Sequence, residues 1–153
     1  MSPAPGLRVG VLADDLIWAS RLIGAVELAG AIPVTLRTEH DLRVMLEASA
    51  LEEPAREGIR ERVVGVVVDL NGRRYDGVAA VQAAASAALP VICVGQHEDL
   101  ELRSRALRAG ATRVFTYNAF FRQGAVIVGR WLGASASVPT KTAEAPGARG
   151  ATA

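Results

Sequence analysis

Lysine is nearly missing from this chain. Of its 17 basic residues, 16 are Arg, and Lys141 is the only lysine. Chemistry that rests on a lysine ammonium, such as a P-loop or a Schiff base, is excluded unless the last 13 residues fold back into a site. An excess of one charge sign is missing too. The 17 cations face 16 Asp and Glu, a formal net charge of +1, which argues against a strongly basic nucleic-acid binder. Cysteine occurs once, as Cys93 in an apolar run, so there is no intramolecular disulfide framework, and a reduced cytoplasmic setting fits. Aromatic residues make up only 5% of a chain that is 50% apolar, so the core is expected to be built from Ala, Val, Leu and Ile, as in α/β layers.

A length of 153 residues supports one core of ordinary size. The start, MSPAPGLR, lacks the basic region and apolar stretch of a signal peptide, and residues 1–6 are expected to be a disordered arm. Gly77 to His97 carries no Asp, Glu, Lys or Arg and is long enough to span a bilayer. Gln82, Ser86, Pro90 and Gln96 interrupt it, however, and Pro90 divides an Ala-rich half from a β-branched half. This stretch is expected to be a helix followed by a buried strand, with no membrane association.

Short apolar runs alternate with longer helical patterns, the signature of βα units around a parallel sheet buried on both faces. Strands are expected at Arg8 to Ala13, Ile32 to Thr38, Val63 to Leu70, Pro90 to Gly95 and Thr112 to Thr116. Helices are expected at Leu16 to Leu28, Asp41 to Ala50, Gly77 to Ala88, Asp99 to Ala109 and Ala119 to Leu132, with Gly30 and Gly110 at helix C-termini. Five βα units result, in a flavodoxin-like doubly wound sheet of order 2-1-3-4-5 over residues 7–133. The segment Leu51 to Arg62 mixes Glu and Arg and is expected to be a solvated helix extension or loop. Residues 134–153 are Ala, Ser, Thr, Gly and Pro with few charges and are expected to form a disordered tail.

Ligand sites in open parallel sheets lie at the carboxyl ends of the strands. Asp14 and Asp15 follow the first strand in GVLADD, and Asp69 ends the third in VVGVVVDLNG. Taken singly, Asp15 reads as a cap for the helix that follows. Neighbouring strands one and three would bring the three carboxylates together, where like charges need a cation or raised pKa values, and oxygen-only ligands suit Mg²⁺.

In this order and spacing the chain resembles a response-regulator receiver domain of the CheY-like superfamily, over about Leu7 to Leu132. The resemblance rests on the acidic pair Asp14 and Asp15, on Asp69 at the end of strand three, and on Asp76 and Gly77 in D-x-x-x-x-x-x-D-G spacing. It also rests on Leu89, Pro90 and Val91 before strand four, and on Gly110 and Ala111 before strand five. It implies that Asp69 is the phosphoacceptor and that Mg²⁺ is held by Asp14, Asp15, Asp69 and the backbone carbonyl of Asn71. It further implies a protein partner, a sensor kinase or an effector, and a face of helix four, strand five and helix five used for dimerisation or partner binding. Trp18, beside the pocket, and Phe120 and Phe121, on the last helix, are the candidates for a partner face.

The departures from the receiver pattern fall on the switch. Gly95 stands where a receiver has Thr or Ser. Tyr117 or Asn118 stands where it has Lys, depending on a one-residue gap, and Val114 stands at the aromatic position of strand five. Phosphorylating Asp69 would add roughly two negative charges beside Asp14 and Asp15. A charge-assisted hydrogen bond to a phosphoryl oxygen is worth about 1.5 to 3 kcal/mol, comparable to a typical coupling energy of about 1 to 3 kcal/mol. Losing both the Lys and the hydroxyl removes that bias. Arg73 and Arg74, in the loop after Asp69, are available to lend charge.

The expectation is therefore a stand-alone atypical receiver that acts by protein–protein interaction, is not an enzyme, and is phosphorylated at Asp69 weakly or not at all. No output domain follows in the sequence, so direct nucleic-acid binding is not expected. The alternatives are a working phosphoacceptor of a two-component system and, in another class, a Mg²⁺-dependent phosphohydrolase using the same pocket. Against the latter, the acids are adjacent rather than in D-x-D, and neither G-x-S-x-G nor H-E-x-x-H occurs. A cobalamin-type or other small-ligand domain lacks its G-x-G-x-x-G or D-x-H-x-x-G pattern. His40 and His97 have no metal-ligand spacing.

Overall fold

Valine and isoleucine crowd the apolar runs, and their branched Cβ atoms favour the pleated, doubly covered surface of a parallel sheet. A computed structural model describes residues 6–51 and 62–137. Five strands, β1 (Leu7–Leu12), β2 (Ile32–Leu36), β3 (Arg62–Asp69), β4 (Val91–Gly95) and β5 (Arg113–Thr116), pair in parallel in the order β2-β1-β3-β4-β5. They alternate with α1 (Leu16–Leu28), α2 (Glu39–Ala50), α3 (Gly77–Ser86), α4 (Leu100–Ala109) and α5 (Tyr117–Ser137). The expected flavodoxin-like α/β fold is the one observed. Residues 1–5, the mixed-charge stretch 52–61 and residues 138–153 lie outside the described residues.

The period of two along each strand splits the apolar side chains between the two faces. Val66, Val68, Val91, Cys93 and Val114 pack with Leu42, Met45, Val81, Ala84 and Ala106 beneath α2, α3 and α4. Val9, Val11, Val67, Ile92 and Val94 pack with Leu22, Val26, Val128 and Trp131 beneath α1 and α5. Cys93 lies in the first core, where burial pushes its thiol up to about 12, so it serves as apolar filling.

Local signals set the helix starts. Thr38 and Asp41 form a capping box on α2, and Asp76 and Asp99 cap α3 and α4. The Asp-Gly pair has a second purpose, because a Cβ on Gly77 would lie 2.9 Å from the Leu70 backbone. Only glycine lets α3 begin against the end of β3. The apolar stretch weighed as a membrane span divides into α3 and β4, as expected, and no described helix is long and apolar enough to cross a membrane.

Two expectations need correction. The helix α5 runs to Ser137, so Ala134–Ser137, assigned to the disordered tail, continue the last helix, in keeping with the high helix propensity of Ala. The same helix is broken at Gln123, whose φ of −134° and ψ of 28° are not helical.

Trp131 fastens α5 to the sheet by lying over Gly65 of β3, where a Cβ would come within 2.6 and 2.7 Å of the indole ring and 3.2 Å of the Pro90 carbonyl. Trp131 is 8% exposed. Replacement of Gly65 by Ala overpacks this contact. It is expected to lower stability by about 1 to 3 kcal/mol, read as a lower urea midpoint with a changed Trp131 emission.

Candidate functional site

The register that aligns Leu12 with Val68 and Asp69 with Val94 brings the carboxyl ends of β1, β3 and β4 to one edge of the sheet. Asp69, the last residue of β3, is 2% exposed and is the one buried charged residue among those described. Its Oδ1 accepts from the backbone N–H of Asn71 at 3.1 Å and from the hydroxyl of Tyr117. Tyr117 is the first residue of α5, directly after β5. Tyr117 enters the pocket, while Asn118 is exposed.

The hydroxyl of Tyr117 also lies 3.2 Å from Asn71 Oδ1, which accepts the backbone N–H of Gln96 at 3.3 Å. The loops after β3 and β4 are thereby tied to the same tyrosine. The ring of Tyr117 stacks on Trp18 of α1, with centroids 4.4 Å apart and planes tilted by 36°. The guanidinium of Arg21 lies 5.6 Å from the Trp18 ring centroid and 4.2 Å from that of Phe121. A ladder of rings and one cation thus runs from Asp69 to the outer surface of α1 and α5.

The other two acids are held differently. Asp14 Oδ2 accepts the backbone N–H groups of Arg73 and Arg74 at 2.8 and 2.6 Å and so clamps the loop after β3. The two arginine side chains themselves are exposed. Asp15 caps α1, accepting from the Trp18 N–H at 3.0 Å. The expected Mg²⁺ set of Asp14, Asp15, Asp69 and the Asn71 carbonyl is therefore gathered at one edge but not converged. Among the described residues no three of His, Cys, Asp and Glu are placed to hold a metal ion. The donor set is all oxygen and suits a hard cation in kind, but an oxygen of each acid already accepts N–H or O–H groups. The second oxygen of each carboxylate accepts no hydrogen bond among those described, and the acids would have to draw together to share an ion.

One residue of the site, Tyr75, was not singled out in the sequence. Tyr75 is 9% exposed, and its hydroxyl lies 2.7 Å from the Asp69 carbonyl oxygen and 3.2 Å from that of Leu12, bracing the ends of β3 and β1. Arg73 and Arg74 contribute main-chain rather than side-chain groups. A usable signal existed for Tyr75, since the chain has only two tyrosines and both follow the carboxyl end of a strand, Tyr75 in the loop after β3 and Tyr117 directly after β5.

At Gly95, the last residue of β4, a Cβ would meet Asn71 Oδ1 and Leu70 at 3.5 Å, an ordinary contact. Space alone does not impose the loss of the hydroxyl. Val114 is buried on the α4 side of the sheet. Phe120 is 3% exposed and packs in the α1–α5 core, so its assignment to a partner face is corrected. The inward side of α5 must fill the space above Val94 and Ala19. Phe121, 58% exposed, is on the surface, and Trp18 is half-buried.

Burial is the main cause that raises the Asp69 carboxyl above its ordinary value. The Tyr117 and Asn71 hydrogen bonds pull it down, and Asp14 and Asp15 push it up. Burial and the bond to Asp69 raise the Tyr117 hydroxyl as well, so it stays protonated and donates. A carboxyl whose folded pKa exceeds its unfolded value binds more protons in the native state, so its ionisation costs stability as pH rises through the folded pKa. Asp69→Asn keeps an oxygen acceptor without the charge. It is expected to be more stable than the parent at pH 7, with the difference closing as pH falls toward the unfolded carboxylate range, as followed by urea midpoints between pH 7 and 4.

No protein-family model matches the sequence, and no curated protein matches it. The fold does have close counterparts among solved structures. A CheY-like response regulator receiver domain protein from Methanospirillum hungatei superposes with a TM-score of 0.66 at 16% identity, over 84% of this chain and 94% of that one. The phosphorylated cyanobacterial phytochrome response regulator RcpA gives 0.64 at 17%, over 90% and 98%. A response regulator from Burkholderia pseudomallei with a phosphorylated aspartic acid, a calcium ion and citrate gives 0.59 at 12%, over 87% and 74%. The chain has the fold of response-regulator receiver domains.

Proposed function

We propose that this chain is an atypical receiver-type signalling protein that acts by binding another protein, with phosphorylation at Asp69 weak or absent. The observation that carries the proposal is the hydrogen bond from Tyr117 to Asp69. One oxygen of the candidate phosphoacceptor, Oδ1, is held by a neutral hydroxyl, supplied from the position where the resemblance implies a lysine. A neutral donor offers about 0.5 to 1.5 kcal/mol against about 1.5 to 3 for a charged one, so Tyr117 replaces the geometry of the lysine without its charge. Gly95 adds no hydroxyl, and the exposed side chains of Arg73 and Arg74 leave the Asp14 contact to their amides. The proposed partner is a protein, and the proposed setting is the cytoplasm.

Mg²⁺ enters this proposal only as a competitor. Asp14, Asp15, Asp69 and the Asn71 carbonyl would hold it if Tyr117 and the loop amides released their acceptors, and when bound it would offset the negative charge of the site. Two of the similar solved structures carry a phosphorylated regulator or aspartate, one of them with a calcium ion, which is the reason to test both the phosphate and the ion.

With a small-molecule phosphodonor and Mg²⁺, intact mass is expected to show no stable adduct on the parent chain. The double substitution Gly95→Thr with Tyr117→Lys is expected to raise Asp69 phosphorylation about tenfold or more, from the added charge-assisted bonds. A stable, Asp69-dependent adduct on the parent chain would sink the proposal. Because Trp18 stacks on Tyr117, its fluorescence reports the pocket. Mg²⁺ is expected to leave the emission of the parent chain flat, and to change that of Tyr117→Phe, which removes one of the two hydrogen bonds on Asp69 Oδ1.

A further inference from the structure

Between α1 and α5, on the side of the sheet away from α2, α3 and α4, lies an open groove of about 330 Å³. Its edges carry three large apolar side chains that water can reach: Leu28 at 81%, Phe121 at 58% and Val126 at 50% exposure. Ile17, one helical turn before Arg21 on α1, is 65% exposed and extends the apolar surface toward the acidic pocket. Its floor includes Gly24, where a Cβ would meet nothing within 4 Å. The break in α5 at Gln123 falls within the groove. A contiguous exposed apolar surface of this kind marks an interaction site more often than chance.

The charge around the groove narrows the occupant. Arg21 and Arg122 line it, and among the described residues no Asp or Glu does. A second copy of the chain seated face to face would set these arginines near their own copies without an acid to offset them. A partner that brings carboxylates would meet both. The shape, a trough between two helices with an open glycine in its floor, suits an added helix laid along it.

We infer that the α1–α5 groove docks an amphipathic helix of a protein partner, one that presents an apolar stripe flanked by acidic side chains. This rests on the proposed interaction function and names its surface. Arg21 is shared between the groove and the ladder that leads through Trp18 and Tyr117 to Asp69, so the docked helix touches the outer end of that ladder.

The test uses the full chain and two synthetic helical peptides with the same Leu/Ala stripe, one flanked by Glu and one by Lys, with binding followed by calorimetry and by amide NMR shifts. The Glu-flanked peptide is expected to bind with shifts centred on Gly24, Leu28 and Val126, several-fold to about tenfold more tightly than the Lys-flanked one, and less tightly as salt rises. Arg21→Glu with Arg122→Glu is expected to abolish that preference. Gly24→Gln places a side chain in the open floor, where an added Cβ meets nothing within 4 Å, and is expected to block binding while the unfolding midpoint stays at or above that of the parent chain. Equal affinity for both peptides, shifts centred elsewhere, or no binding overturns the inference. So does preferential binding to phosphatidylserine vesicles, or self-association through the groove. The phosphodonor experiment tests Tyr117 and Asp69 alone, so either result can fail without the other.

Discussion

A carboxylate almost wholly removed from water has to find compensation. In this molecule Asp69 finds part of it in neighbouring donors. Its Oδ1 takes the Asn71 amide and the Tyr117 hydroxyl, and its own backbone carbonyl takes the hydroxyl of Tyr75. Desolvation still dominates and raises the carboxyl's pKa. The consequence reaches outward. The loop after β3 is folded so that its amides serve Asp14 and Asp69, the loop after β4 is tied in through Asn71, and the start of α5 is fixed because Tyr117 must reach inward while stacked on Trp18.

Seen this way, the two tyrosines divide the work of a charged side chain. Tyr75 holds the main chain at the ends of β1 and β3, below the pocket, and Tyr117 closes the carboxylate from above. Neither supplies charge, and both hydroxyls are held by acceptors of the pocket. The ladder from Tyr117 through Trp18 and Arg21 to Phe121 places the pocket in contact with the α1–α5 surface.

The fold was legible in the sequence because its determinants are local or periodic. Runs such as Val66 to Val68 and Val91 to Val94 can only be buried on both faces, Asp76 and Asp99 announce helix starts, and Gly77 is required by its approach to Leu70. Errors occurred where no periodic signal exists. The end of α5 lies in an Ala-rich stretch that reads equally as helix or tail, and the break at Gln123 has no proline or glycine pair to mark it. Phe120 and Phe121 are adjacent on a helix, and composition cannot say which of the two faces the core.

The sequence by itself determined the α/β order, the acids at the strand ends and the absence of a lysine to accompany them, since each follows from residue type and spacing along the chain. Only the tertiary structure decided what those acids do. Asp14 meets amides about 60 positions away and Asp69 meets a hydroxyl 48 positions away. A hydrogen bond depends on distance and angle in space, and the one-residue ambiguity between Tyr117 and Asn118 disappears only when β5 is laid beside β4 and the helix that follows turns one of them inward.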